Sequence, residues 1–425
     1  MIILNYLILK EKKEFTIGKY LNLNLNNSEQ KKIKIGIYTI ALLNGGRAKI
    51  SSILINFLTE IKTFDIYLYT LSKKSKDDYL IPKTTKRIII KNDLLKKCNE
   101  NQIDILIYQL TDIKEVNELN NQIKIKVIFY IHQCFLMWFY TDKYNYFKSL
   151  YKAYKRSKYV VSVVPIENDY LFKKWGIRSI LMDNFMTYEY NSVIPSDLSS
   201  KTILMIGRGY DKLKRFELGI KAMKYIIEEI PQAKLEVISS TYGLEKIENL
   251  VLRYHLNKNI RFVGFALKVE KYFKNSSLHL FPTLTESFGL VLAETKIYGI
   301  PNILLGLDYV SISNGGTVII YDDEPKTIAK ESIKILQNYR YRKKLGREAR
   351  KSMKRFNNNL LKLRWIKLII SVYKGDYYYK KLRRKNCNKL SFKNSINLLN
   401  NQIKLLKKRV KKYKKMNLYK LENII

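Results

Sequence analysis

The sequence predicts an α/β protein with two tandem doubly wound domains, each built on a parallel sheet. Three observations carry this prediction: a length of 425 residues, an apolar content of 46%, and an alternation of strand and helix patterns. A chain of this length exceeds one ordinary core, so two domains are expected. Apolar strands such as 33–40 and 203–207 alternate with helical patterns such as 216–230. This alternation favours βαβ units and parallel sheets.

The first predicted domain spans residues 32–190 and follows an extension, residues 1–31, that lacks a clear periodicity. It begins with a strand, a loop that contains Gly45 and Gly46, and a helix. Further apolar strand patterns occur at 65–70, 86–91, 104–110, 125–132 and 159–164. Helical patterns fit between several of these strands, as a doubly wound sheet requires.

The second predicted domain spans residues 191–356 and is preceded by a polar stretch, 182–201, that is typical of a linker. Its strand patterns occur at 202–207, 234–239, 259–265, 277–283, 300–306 and 317–322. A helix is expected at 357–374, and residues 375–425 form a basic tail. Doubly wound domains bind ligands at the carboxyl ends of their strands, so the cleft between the two domains is the expected site.

The formal net charge of +42 is extreme, and much of it is concentrated in the tail. Residues 374–425 hold 17 lysine and arginine residues against two acidic ones. Such charge attracts nucleic acid, anionic lipid or phosphorylated substrates, although drift in composition also explains the dispersed part. The tail is predicted to be a solvated helix, a membrane-surface helix or disordered. No nucleic-acid recognition module accompanies it, so an anionic membrane is the partner that suits this segment better.

Cysteine usage and hydropathy indicate where the protein works. Cys98, Cys134 and Cys387 lie far apart, which favours neither a disulfide framework nor a zinc site and fits a reducing compartment. No 18-residue apolar span is present, and the apolar opening of the chain lacks the features of a secretory signal. We therefore expect a cytoplasmic protein, either soluble or attached to the periphery of a membrane.

The stretch FPTLTESFGLVLAE, residues 281–294, is the strongest candidate for a binding site. It predicts a strand, a turn, and a helix that begins at Phe288 with Ser287 as its cap. The free N–H groups of a first helical turn attract an anion. Gly289 removes a side chain where a ligand would approach the backbone. The junction therefore favours an anionic ligand.

Two carboxylates flank this junction, Glu286 in the turn and Glu294 two helical turns further along. Carboxylates accept hydrogen bonds from hydroxyl groups, and an anion between two hydroxyl-bearing groups describes a sugar nucleotide. Spacing alone favours a simpler interpretation, in which both are surface charges on an amphipathic helix. The apolar residues around Glu294 shift the balance toward a binding role, because a buried carboxylate needs partners.

A second motif supplies the complementary positive charge. A strand ends at Gly207, Arg208 follows, and Lys214 and Arg215 stand at the start of the next helix. Cations at this edge would neutralise a departing diphosphate in the same cleft. Surface cations in an already basic protein are the alternative. The acidic pair Asp322–Asp323 is interpreted as a solvated turn, and no metal site is predicted.

In this order, the motifs resemble the retaining glycosyltransferases of family 4, which have the GT-B fold. The matching segments are 207–214, 261–265, the E-x7-E helix in 281–294, YGIP at 298–301 and NGG at 314–316. The likeness is dense over 200–325 and weaker over 33–190. It implies transfer of a hexose-type sugar from a nucleotide-diphosphate sugar to an acceptor hydroxyl, with retention of anomeric configuration. It implies no metal or other cofactor.

The resemblance also implies roles for the matching residues of the second domain. Arg208 and Lys214 would hold the donor diphosphate, and Glu294 would bind the ribose hydroxyls. Glu286 would hold the transferred sugar, together with the backbone of Phe288, Gly289 and Leu290. The resulting candidate catalytic residues are Glu286, His132, Arg208 and Lys214.

Other implied roles concern the rim of the cleft. Phe265 and Ala266 would lie along the nucleobase, and Gly45 and Gly46 would admit the phosphates or the acceptor. His132 would reach the donor sugar, although a histidine that ends an apolar strand is more often a structural residue.

This chain departs from the family pattern at three places. Thr295 follows the second glutamate, where the family usually has alanine, and Arg215 follows Lys214, where glycine is common. The segment 302–313 lacks the usual glycine-rich turn. The first two departures are compatible with function, whereas the third leaves the donor pocket undefined at this point.

The partners that follow are a nucleotide sugar as donor and a glycan or lipid-linked acceptor, in glycan or glycolipid synthesis. The alternative is an inactive transferase-like binding protein that docks on membrane or nucleic acid through its basic tail. The presence of Arg208, Lys214, Glu286 and Glu294 argues against lost activity, since an inactive site is free to lose them.

Overall fold

The structure, a computed structural model, describes residues 31–43, 45–141, 143–240, 243–375 and 389–413. Two parallel sheets with flanking helices make up these parts of the chain. The predicted α/β class with two doubly wound units is therefore confirmed. The extension 1–30 lies outside the described residues.

The first sheet contains seven parallel strands. They are β1 (Ile33–Thr39), β2 (Phe64–Thr70), β3 (Lys86–Ile89), β4 (Ile105–Tyr108), β5 (Lys126–Ile131), β6 (Tyr159–Ser162) and β7 (Ile180–Leu181). The helices that accompany them are α1 (Gly46–Thr59), α2 (Leu94–Glu100), α3 (Ile113–Asn121), α4 (Leu136–Tyr140), α5 (Tyr144–Lys155) and α6 (Pro165–Trp175). The spatial order β3-β2-β1-β4-β5-β6-β7 reverses direction between β1 and β4, which creates a crevice beyond their carboxyl ends.

The second sheet contains six parallel strands. They are β8 (Thr202–Ile206), β9 (Lys234–Ile238), β10 (Ile260–Gly264), β11 (Leu278–Phe281), β12 (Asn302–Leu305) and β13 (Thr317–Ile320). Its helices are α7 (Phe216–Glu229), α8 (Glu245–Arg253), α9 (Glu270–Lys274), α10 (Leu290–Ile297), α11 (Pro325–Gln337) and α12 (Tyr339–Met353). The order β10-β9-β8-β11-β12-β13 reverses between β8 and β11, so the second crevice opens beside these two strands.

The central strands are buried on both faces, as in parallel sheets covered by helices. Every residue of β4, β11 and β12 is buried, and apart from His279 and Asn302 these strands are apolar. One buried apolar cluster includes residues of both sheets' domains, among them Leu42 and Phe288. The segment 182–201 joins the domains but is packed, since Met182 and Phe185 are fully buried. The two domains therefore share a packed boundary.

Helix α13 (Asn358–Lys374) returns from the second domain to the first. The side chain of Asn357 caps it by accepting hydrogen bonds from the N–H groups of Asn359 and Leu360. Its buried Trp365 lies edge-on to Tyr130 of β5, with ring centres 4.9 Å apart. The helix thereby fastens the end of the second domain to the first sheet.

The predicted basic tail contains a further helix, α14 (Lys389–Tyr413), that is docked on the protein. Among the residues of this helix whose burial is described, the side chains divide between a buried, mostly apolar face and an exposed basic face. The buried apolar residues are Leu399, Ile403, Leu405 and Leu406, and the exposed lysines are Lys404, Lys407, Lys408 and Lys411. For residues 397–409, the expectations of disorder and of a solvated helix were therefore wrong, and the membrane-surface helix stays a prediction.

The rest of the predicted tail, residues 376–388 and 414–425, lies outside the described residues. Among the helices that the structure describes, none combines the length and the apolar character needed to cross a bilayer.

Candidate active site

Lys214 and Glu286 form an ion pair at the second crevice. The Nζ atom of Lys214 lies 2.9 Å from Oε2 of Glu286 and 5.5 Å from the centre of the Phe281 ring. Lys214 ends the loop after β8, and Glu286 belongs to the loop after β11. The two loops are joined directly, because the N–H of Leu284 donates to the carbonyl of Leu213 at 2.8 Å. Adjacent strands thus bring the two side chains together.

Glu286 is held in place by further hydrogen bonds. Its Oε1 accepts the N–H of Ser287 at 3.0 Å, and its own N–H donates to the hydroxyl of Tyr309 at 2.9 Å. Burial alone would raise the pKa of Glu286, but the charge and hydrogen bond of Lys214 outweigh burial and lower it. Glu286 is therefore a carboxylate at neutral pH.

The helix beside this pair begins later than the sequence predicts. Helix α10 starts at Leu290, with Gly289 before it at a φ of 81°, and no side chain caps it. The predictions that the helix starts at Phe288 and that Ser287 caps it were wrong, because the left-handed backbone at Gly289 interrupts the helix there. Phe288 is buried against Phe356, with ring centres 5.6 Å apart. The free N–H groups of the first turn consequently start at Leu290.

Glu294 is buried and paired across the domain boundary. Its Oε1 lies 2.6 Å from Nζ of Lys49, on α1 of the first domain. The hydroxyl of Thr187, in the segment that joins the domains, donates to the same oxygen at 2.7 Å. The interpretation of Glu294 as a surface charge on an amphipathic helix is therefore excluded. Both partners were missed in the sequence, because neither belongs to a motif.

Arg208 faces the first domain at the same edge of the second sheet. It bonds Asp211 at 2.9 Å, and about half of its side chain is exposed. Burial, followed by the charge of Arg208, lowers the pKa of Arg47 at the start of α1. The charge of Arg208 also contributes to lowering the pKa of Glu286. The charge of Arg208 thus acts both on Arg47 of the first domain and on Glu286 of the second, and Arg47 was not predicted from sequence.

The predicted glycine loop lies at the contact between the domains. Gly45 has a φ of 104°, in the region that favours glycine, and a Cβ atom there would meet no atom of the described residues within 4 Å. A Cβ atom on Gly46 would lie 3.3 Å from Cδ1 of Leu290. The start of α1 therefore faces the start of α10, with open space beside Gly45.

His132 lies just beyond β5, on the first-domain side of the cleft. Its Nε2 is 2.8 Å from Oε1 of Gln109, and its ring centre is 4.1 Å from that of Tyr130. The carbonyl of Gln109 in turn accepts a hydrogen bond from Arg47 at 3.2 Å. Burial, and then the charge of Arg47, lowers the pKa of His132 to about 3. The imidazole is therefore neutral at physiological pH.

Phe265 and Ala266 follow β10, at the carboxyl edge of the second sheet. Phe265 is 44% exposed and Ala266 is partly buried. Strand β9 separates β10 from β8, so these residues lie toward one end of the crevice, away from the Lys214–Glu286 pair.

A buried lysine holds the segment 302–313, which lacks the glycine-rich turn of the family. Lys296 of α10 is fully buried and donates to the carbonyls of Ile312 at 2.5 Å and Asn314 at 2.7 Å. Burial lowers the pKa of Lys296 to about 7, and the charge of Arg355 adds to this effect. Lys296 therefore fastens the loop after β12, and that loop carries Tyr309, the partner of the Glu286 backbone.

The interpretation of Asp322–Asp323 as a solvated turn was wrong for Asp323. This residue is buried, and its Oδ1 lies 2.9 Å from Nη1 of Arg215 and 3.2 Å from Nη2 of Arg409. Burial would raise the pKa of Asp323, but the two guanidinium groups lower it. In the described part of the chain, no group of three or more His, Cys, Asp or Glu residues is arranged to hold a metal ion.

Residues 189–352 match the family described as glycosyl transferases group 1, which covers nearly the whole second domain. This part of the chain is similar to the group 1 glycosyltransferases. The resemblance to the retaining glycosyltransferases of family 4 is thus confirmed, whereas the roles of individual residues stay predictions.

Three relatives illustrate the sequence similarity of this chain to known proteins. N-acetyl-alpha-D-glucosaminyl L-malate synthase of Bacillus anthracis is 28% identical over 184 residues, 42% of this chain and 46% of the relative. Poly(glycerol-phosphate) alpha-glucosyltransferase of Bacillus subtilis is 27% identical over 126 residues, which are 30% of this chain and 17% of the relative. An uncharacterized 41.2 kDa protein in the cps region of Klebsiella pneumoniae is 24% identical over 332 residues, and the match covers 69% of this chain and 87% of the relative. The matches span less than half of the first two relatives.

Solved structures confirm the GT-B fold. Sucrose-phosphate synthase from Thermosynechococcus elongatus superposes with a TM-score of 0.69 at 15% identity, covering 81% of this chain and 100% of that one. HepE from Anabaena, in complex with UDP and glucose, superposes with a TM-score of 0.64 at 12% identity, covering 80% of this chain and 100% of that one. At such low identity the likeness concerns the fold alone.

Proposed function

We propose that this protein is a group 1 glycosyltransferase that moves a hexose-type sugar from a nucleotide-diphosphate sugar to an acceptor hydroxyl, with retention of configuration. The observation that carries the proposal is the Lys214–Glu286 ion pair at the carboxyl ends of adjacent strands, beside the first turn of α10. A carboxylate for sugar hydroxyls and a cation for phosphate thereby occupy one crevice.

The diphosphate would lie between the two domains. Lys214 and Arg208 supply positive charge from the second domain, and Arg47 supplies it from the first. The N–H groups at the start of α10 add the positive end of a helix dipole. These groups stabilise the negative charge that grows on the diphosphate as its bond to the sugar breaks.

The sugar would lie between Glu286 and His132. The carboxylate of Glu286 accepts hydrogen bonds from sugar hydroxyls, and the neutral imidazole of His132 offers a hydrogen bond without adding a charge. The acceptor oxygen attacks the anomeric carbon from the face that the diphosphate leaves. The acceptor's proton passes to a phosphate oxygen, so the products are the glycoside and the nucleoside diphosphate.

The nucleoside would extend toward Glu294 and Phe265. Glu294 already shares one oxygen between Lys49 and Thr187, so ribose hydroxyls would compete with these two donors. The exposed ring of Phe265 offers an apolar surface to a base. The first donors to test are UDP sugars, because HepE was solved with UDP and glucose and the structure of TarM includes UDP.

A thermal-shift panel of UDP-, GDP- and ADP-sugars tests the proposal, because a ligand that binds only the folded state raises the melting temperature. We expect one nucleotide class to raise it, and we expect Lys214→Ala to abolish both this shift and sugar transfer. Lys212→Ala is the matched control, since Lys212 is an exposed lysine of the same loop. Loss of the shift in both variants, or in neither, would remove Lys214 from the site.

For the acceptor, we propose a glycan or a lipid-linked glycan. The exposed lysines of α14 favour an anionic membrane as the surface near which the acceptor is presented. An inactive binding protein is less well supported, because the Lys214–Glu286 and Lys49–Glu294 ion pairs hold the proposed donor-binding side chains in place.

A further inference from the structure

Two buried polar side chains of α14 point at the loops that form the candidate active site. Gln402 is 1% exposed and Arg409 is 3% exposed. Apolar residues alone could dock this helix, whereas a buried arginine is costly unless it is paired. The partners of these two residues therefore indicate which loops the helix stabilises.

Arg409 joins three elements from both domains. Its Nε and Nη2 atoms donate to the two oxygens of Asp323, at 3.3 Å and 3.2 Å. Nη2 also donates to the carbonyl of Leu305 at 3.1 Å, and Nη1 donates to the hydroxyl of Tyr140 at 2.9 Å. Tyr140 ends α4 of the first domain, so one guanidinium bridges the two domains beside the crevice.

Asp323 connects Arg409 to Arg215, the residue after Lys214. Its Oδ1 pairs with Arg215 at 2.9 Å, and Arg215 has a φ of 51°, in the left-handed region that side chains other than glycine rarely adopt. The sequence departs from the family pattern at this position, where glycine is common. The Arg409–Asp323–Arg215 cluster therefore holds a left-handed backbone residue in place directly after Lys214.

Gln402 supports the other half of the ion pair. Its amide donates to the carbonyl of Gly306 at 2.7 Å and to Oδ1 of Asp308 at 2.5 Å. The next residue, Tyr309, accepts the backbone N–H of Glu286. Leu405 packs closely against Gly306, because a Cβ atom on Gly306 would overlap the Leu405 side chain.

We propose that α14 is a structural part of the donor site, in which Arg409 and Gln402 are positioning residues for Lys214 and Glu286. The helix reaches both partners of the ion pair through separate loops, one through Asp323 and one through Asp308. The identity of the ligand rests on the proposed function, but the positioning of the two loops does not.

Hydrogen–deuterium exchange of the full chain without ligand tests the positioning directly. In Arg409→Gln, we expect faster exchange in peptides covering 209–218 and 284–289, whose amides include the loop-to-loop bond of Leu284. Lys408→Gln is the matched control, because it removes the same charge from the exposed face of the same helix. Equal exchange in the two variants would overturn the proposal.

Nucleotide binding supplies a readout that general destabilisation would not reproduce. We expect Arg409→Gln to weaken a nucleoside diphosphate at least tenfold while the nucleoside monophosphate is little affected, and Arg409→Lys to restore part of the loss. Equal weakening of both nucleotides would indicate a merely structural helix and overturn the proposal. A wild-type protein that binds no nucleotide refutes the proposed function, and the exchange experiment then decides the positioning alone.

If Arg409→Gln does not fold, Gln402→Ala tests the second contact without burying a charge. The expected result is faster exchange in 284–289, because Gln402 reaches the backbone of Glu286 through Asp308 and Tyr309. Unchanged exchange in this variant would overturn the proposal.

Discussion

Glu294 is a single carboxylate that connects the two domains and the segment between them. Lys49 and Thr187 both bind its Oε1, and its side chain is only 6% exposed. Removing either charge would leave the other poorly solvated, so the pair should be energetically coupled.

We expect a double-mutant cycle of Lys49→Met and Glu294→Gln to give a coupling energy of about 1–3 kcal/mol. Urea denaturation of the four proteins measures it. The exposed pair Lys86–Asp65 serves as control and should give below about 1 kcal/mol. A coupling no larger than that of the control would show that the pair does not fasten the domains.

Lys296 should make stability depend on pH in an unusual direction. Its pKa falls from 10.5 to about 7 on folding because the side chain is buried. Between these values the unfolded chain binds the proton and the folded chain does not, so stability rises with pH from about 7 upward. The slope approaches about 1.4 kcal/mol per pH unit.

Urea midpoints at several pH values between 7 and 10 check this expectation. In Lys296→Met the additional rise should disappear, even though the variant is less stable at every pH because two carbonyls lose their donor. Parallel pH profiles for the wild type and the variant would contradict the assigned titration.

Helix α14 has an outer face that the described part of the chain leaves exposed. Four lysines on this face are exposed and suit an anionic lipid surface: Lys404, Lys407, Lys408 and Lys411. Each lysine near such a surface contributes about 1 kcal/mol. We expect their joint replacement by glutamine to reduce sedimentation with phosphatidylserine vesicles.

A matched control replaces four exposed lysines of the first domain: Lys83, Lys91, Lys96 and Lys124. If both quadruple variants lose the same amount of vesicle binding, the total charge of the protein, and not the lysine face of α14, causes the binding. Binding of the wild type should also weaken with salt, because these charges are exposed.

The elements that form the site could be predicted where the signal is local. Apolar runs indicated the strands, and charged or glycine residues after them indicated the loops. The start of α10 was misplaced because Ser287 has the chemistry of a cap, whereas the left-handed backbone at Gly289 delays the helix. The docking of α14 was missed because a highly charged segment conceals an apolar face that only its partners reveal.

Long-range pairs account for the other failures. Lys49 lies 245 positions from Glu294, Thr187 lies 107 positions from it, and Arg409 lies 86 positions from Asp323. Spacing along the chain contains no information about such contacts. A buried carboxylate predicts that a partner exists, but the fold decides which residue it is.

For the molecule as a whole, the net charge of +42 opposes compactness through self-repulsion. Salt shortens the Debye length from about 30 Å at 0.01 M to about 8 Å at 0.15 M. We therefore expect the melting temperature to rise over this range of sodium chloride. A fall would show that attraction within ion pairs outweighs repulsion across the surface.

The shared oxygen of Glu294 has a kinetic consequence. A ribose that takes over this carboxylate would release the ammonium of Lys49 on the opposite wall, so an incoming acceptor meets a different electrostatic surface before and after the nucleotide arrives. Initial-rate measurements should then show a compulsory order of addition, donor first. In Lys49→Met the two substrates should add at random.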